Sequence, residues 1–112
     1  MQLPIAFAVN AQMNEKILSH VDLLKVGSLE FREITTDRYP IWQIKDELLK
    51  NPARGVVVNA ANEVSIEKFI AKEIGFMDIA KNIIKAYEKF DAVPKNVDDV
   101  FALDKEVRNF IR

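Results

Sequence analysis

Twelve residues, "IAKNIIKAYEKF" (79–90), constrain the fold of this chain more than any other stretch. At about 100° per residue, Ile79, Ala80, Ile83, Ile84, Ala86, Tyr87 and Phe90 share one side of a helix. Lys81, Asn82, Lys85, Glu88 and Lys89 share the other. A helix with so clean a division buries one face, so the chain around it has to supply neighbours. Gly75 is expected to end the preceding helix as a left-handed cap. Asp78 is expected to start this one, as a cap or as a first-turn anion.

The rest of the second half follows the same period. Pro40 suits a first helical position, and Ile41, Ile44 and Leu48 then make one stripe with Trp42 and Leu49 making a second. "KNPARG" (50–55) breaks that helix. The last helix is predicted from Val97 to Ile111, with Asn96 as N-cap and Asp98 and Asp99 in the first turn. Its buried side is expected to hold Val97, Val100, Phe101, Leu103, Val107, Phe110 and Ile111. Asp104 and Arg108 fall on that side four residues apart, as an ion pair across one turn or, in a functional reading, a substrate clamp.

The stretch "VVVNAANEVSIEKFI" (56–70) places two asparagines and a glutamate between apolar runs. Taking Asn59 as N-cap puts Val64, Ile70, Ala71 and Ile74 on one face, with Asn62 and Glu63 pointing toward the packed side. On this reading Asn59 and Asn62 cap the helix start, and Glu63 sits near the positive end of the dipole with Arg54 or Arg38 as partner. The competing reading makes Asn62 and Glu63 ligands. Adjacent helical residues point about 100° apart, so the structural role is favoured. Residues 38–112 thus read as four helices with short loops, a bundle-like domain.

Residues 1–37 differ. "LPIAFAVN" suits a short helix, and "SLEFREI" (28–34) alternates as a strand does. A lone strand cannot satisfy its own backbone, so this segment needs a partner elsewhere; the alternative is an extended linker. The expected class is mainly α: a four-helix-bundle-like domain over 38–112, preceded over 1–37 by a remnant of an α/β domain with one orphan strand.

The chemical inventory is thin. The chain has no cysteine, one histidine (His20) and three scattered glycines. These exclude thiolate chemistry, a histidine-built metal site and a phosphate loop. Sixteen basic and seventeen acidic residues leave a formal charge of −1, which argues against nucleic-acid binding. The N-terminus shows no basic region followed by an apolar run, so no secretory leader is expected and a cytoplasmic location is. No catalytic, cofactor-binding or metal-ligating residue is assigned. Asn59, Asn62, Glu63, Asp104 and Arg108 are assigned structural roles.

"VNAANEVSIEKFI" with "IGFMDI" resembles the C-terminal helical domain of the 1-deoxy-D-xylulose 5-phosphate reductoisomerases. "MQLPIAFA", "DLLKVGSLEF", "DRYPIWQIKDELL" and "NVDDVFALD" resemble that family's segments in the same order. Where several members carry histidine after "PIA", this chain has Phe7, so no role of that histidine carries over. The resemblance implies a homodimeric parent enzyme of non-mevalonate isoprenoid biosynthesis that uses NADPH and Mg²⁺ or Mn²⁺. It converts 1-deoxy-D-xylulose 5-phosphate to 2-C-methyl-D-erythritol 4-phosphate. It further implies that the glycine-rich NADPH loop, the acidic metal ligands and the phosphate-binding cluster lie upstream of the matched segments. The chain is then expected to be inactive alone, with the rest of the parent as its partner. The alternative is an autonomous helical protein–protein interaction module.

Overall fold

The computed structural model describes residues 2–10 and 18–112 and divides the chain into two units, 1–32 and 33–112. In the first unit, α1 (Gln2–Asn10) carries Pro4 in its first turn, where a missing N–H costs nothing. The short α2 (Leu23–Val26) is capped by Asp22, whose Oδ1 accepts from the Leu24 N–H at 3.1 Å. Gly27 closes it at φ 76°, a conformation that suits glycine. Residues 11–17 lie outside the described residues.

The expected strand over 28–34 is not formed, and no strand occurs among the described residues. Leu29 and Phe31 are exposed there, Phe31 at 89%. The physical reason is the one the sequence raised: an extended segment without a neighbour has no ladder to join. His20 is exposed.

The second unit is a helical bundle. Pro40–Ile44 forms a 3₁₀ turn that runs into α3 (Lys45–Lys50), so the helix expected over 40–50 is present in two pieces. A further 3₁₀ turn, Pro52–Arg54, leads into α4 (Gly55–Ile70). Next come α5 (Phe76–Lys89) and α6 (Val97–Ile111). Helix α4 is the central element, packed on both α5 and α6. Its buried residues Val57, Ala60, Ala61, Val64 and Ser65 follow the i, i+3, i+4, i+7, i+8 stripe. Alanine at 60, 61 and 86, each fully buried, lets the helix axes approach closely. Ile83 and Tyr87 of α5, Leu103, Val107 and Ile111 of α6, and Ile44 complete the core.

Helix α5 buries the face its sequence announced, with Lys81, Lys85, Glu88 and Lys89 exposed. Asn96 caps α6 as expected, its Oδ1 accepting from the Asp99 N–H at 2.8 Å. Three expectations need correction. Helix α4 begins at Gly55, not after Asn59, and ends at Ile70, so Ile70 is 73% exposed rather than buried. Val97, Val100 and Phe101 of α6 are exposed, its buried residues being Leu103, Val107 and Ile111. The left-handed residue after α4 is Lys72 (φ 63°), not Gly75. The Glu73 N–H donates to Lys68 O and the Lys72 N–H to Phe69 O, the double closure of a Schellman turn. Gly75 instead starts α5 in extended geometry, its N–H donating to Asp78 Oδ2 at 3.0 Å. Lys81 and that N–H hold the Asp78 carboxyl below its ordinary range.

Candidate functional site

Four of the five singled-out residues meet in one network on the α4–α6 seam. Arg108 Nε donates to Asp104 Oδ2 at 2.7 Å, the pair foreseen across one turn of α6. Arg108 Nη2 also reaches Glu63 Oε2 at 2.5 Å, and Asn59 Nδ2 donates to Glu63 Oε1 at 3.2 Å. The partner of Glu63 is therefore Arg108, neither Arg54 nor Arg38. The hydrogen bonds from Arg108 and Asn59 hold the Glu63 carboxyl below the usual range, while Asp104 and Glu63 hold the Arg108 guanidinium still more firmly charged. Glu63 remains 48% exposed at its side chain, so this seam steers α6 rather than forming a dry core. Asn59 is exposed in the second turn of α4 and caps nothing. Asn62 is half-buried and stands outside the network.

Sequence reasoning missed the bundle's principal polar anchor. Arg54 is 5% exposed. Its guanidinium lies 3.8 Å from the centroid of the Tyr87 ring. Nη2 donates to Tyr87 O at 2.5 Å and Phe90 O at 2.9 Å, and Nη1 pairs with Glu47. A cation thus satisfies the terminal carbonyls of α5, where the helix dipole is negative. Burial pushes the Tyr87 phenol above its ordinary range. Lys68 does the same service for α6, donating to Ile111 O at 2.9 Å and Arg112 O at 2.8 Å. The start of α4 therefore meets the end of α5, and the end of α4 meets the end of α6. The α4–α5 pair is antiparallel and the α4–α6 pair parallel. No periodicity signals a buried arginine; only its place beside Pro52 and Gly55, at a helix junction, hints at it.

A groove of about 720 Å³ opens beside α4 and α5. Its lining is apolar apart from Arg38, Tyr39, Asn59 and Asn62. Among the described residues no three of His, Cys, Asp and Glu converge as metal ligands. The described residues therefore fit neither a divalent cation nor, with isolated glycines only, the phosphates of a nicotinamide cofactor. No helix is long and apolar enough to cross a membrane.

Together these features define, over the described residues, a helical bundle in which the cations Arg54 and Lys68 close the ends of α5 and α6. The family model described as the DXP reductoisomerase C-terminal domain matches residues 1–110, and the chain belongs to that family. It is 55% identical over 111 residues to the 1-deoxy-D-xylulose 5-phosphate reductoisomerase of Nautilia profundicola, with 98% of this chain and 30% of the relative covered. The reductoisomerase of Campylobacter hominis is 46% identical, with 100% of this chain and 31% of the relative covered. That of Helicobacter pylori strain P12 is 44% identical, with 96% and 31% covered. The chain thus spans about a third of the length of the curated relatives it matches. No solved structure matches it.

Proposed function

We propose that this chain is the C-terminal portion of a reductoisomerase that converts 1-deoxy-D-xylulose 5-phosphate to 2-C-methyl-D-erythritol 4-phosphate. The parent works as a homodimer with NADPH and a divalent cation. Residues 1–37 belong to the end of its central domain, and "SLEFREI" joins a sheet there; residues 38–112 brace that domain as a helical bundle. The chain alone is catalytically silent, because the hydride donor, metal ligands and phosphate-binding groups belong to the part of the relatives' length it does not cover. The observation that carries this reading is the 55% identity to a reductoisomerase over 98% of this chain, joined to a polar inventory spent on helix ends.

The test is an exchange. In the Nautilia profundicola relative, the matching last third is replaced by this chain. NADPH oxidation that depends on 1-deoxy-D-xylulose 5-phosphate and Mn²⁺ is expected from the joined protein, and none from the 112-residue chain alone. Turnover by the isolated chain, or an inactive but folded joined protein, refutes the proposal.

A further inference from the structure

We draw no further inference here: the strongest candidate, the apolar groove beside α4 and α5 walled by Ile66, Phe76 and Met77, is an unpartnered surface, and nothing in the structure shows what covers it.

Discussion

Replacing Arg54 by alanine removes a side chain that ties three elements together. Its guanidinium serves two carbonyls at the end of α5, stacks on Tyr87 and pairs with Glu47 of α3. A hydrogen bond from a charged donor contributes about 1.5–3 kcal/mol, so two give roughly 3–6 kcal/mol before relaxation. Phe90 O is only partly buried, and water entering there brings the cost to the lower end. Glu47 is 55% exposed and adds little, because solvent screens an exposed partner. The expected loss is about 3 kcal/mol. The bundle unit, about 80 residues, should have a total stability of only about 4–12 kcal/mol. With a urea slope of about 1 kcal/mol/M, the midpoint of far-UV circular dichroism should fall by roughly 3 M. Arg54→Lys should recover less than half, since an ammonium neither forks to two carbonyls nor stacks as a plane. An Arg54→Ala midpoint within about 0.5 M of the parent would refute the reasoning.

Lys72→Gly should raise stability by about 0.5 kcal/mol, read as a slightly higher urea midpoint, because a left-handed position suits glycine and strains a β-carbon; a fall would contradict the Schellman closure. Asn96→Ala should cost about 1 kcal/mol through loss of the α6 cap, whereas Asn59→Ala, exposed and mid-helix, should stay within about 0.5 kcal/mol. The reverse order in thermal unfolding would restore Asn59 as a helix start. Glu63 has a lowered folded-state pKa, so its contribution is present above the ordinary glutamate value of about 4.3 and is lost as the pH falls through the folded value. The stability gap between the parent and Glu63→Gln should therefore shrink as pH is lowered from about 6 toward 3; a constant gap would show that the Arg108 contact is not ionic.

Much of the bundle was legible because burial there follows a helical period. Helix α5 and the Asn96 cap needed only the chain's own order of residues. Helix α4 was misread by one choice, its start. Val57, Ala60, Ala61, Val64 and Ser65 carried the true stripe, but Asn59 looked like a cap and drew the register past it. The Asp104–Arg108 pair was foreseen because both partners lie on one helix. The Arg108–Glu63 contact spans 45 residues, and no local rule reaches that far.

The amino-acid order by itself determined the elements: where apolar residues recur every three or four positions, where proline opens a turn, and which family the motifs resemble. Those are nearest-neighbour properties, written within one or two helical turns. Only the tertiary structure decided which charges meet, that Arg54 and Lys68 close the ends of α5 and α6, and that Asn62 faces a groove instead of a cap. Each of those depends on helices distant in sequence lying side by side, so that one side chain offers its charge to the unsatisfied end of another.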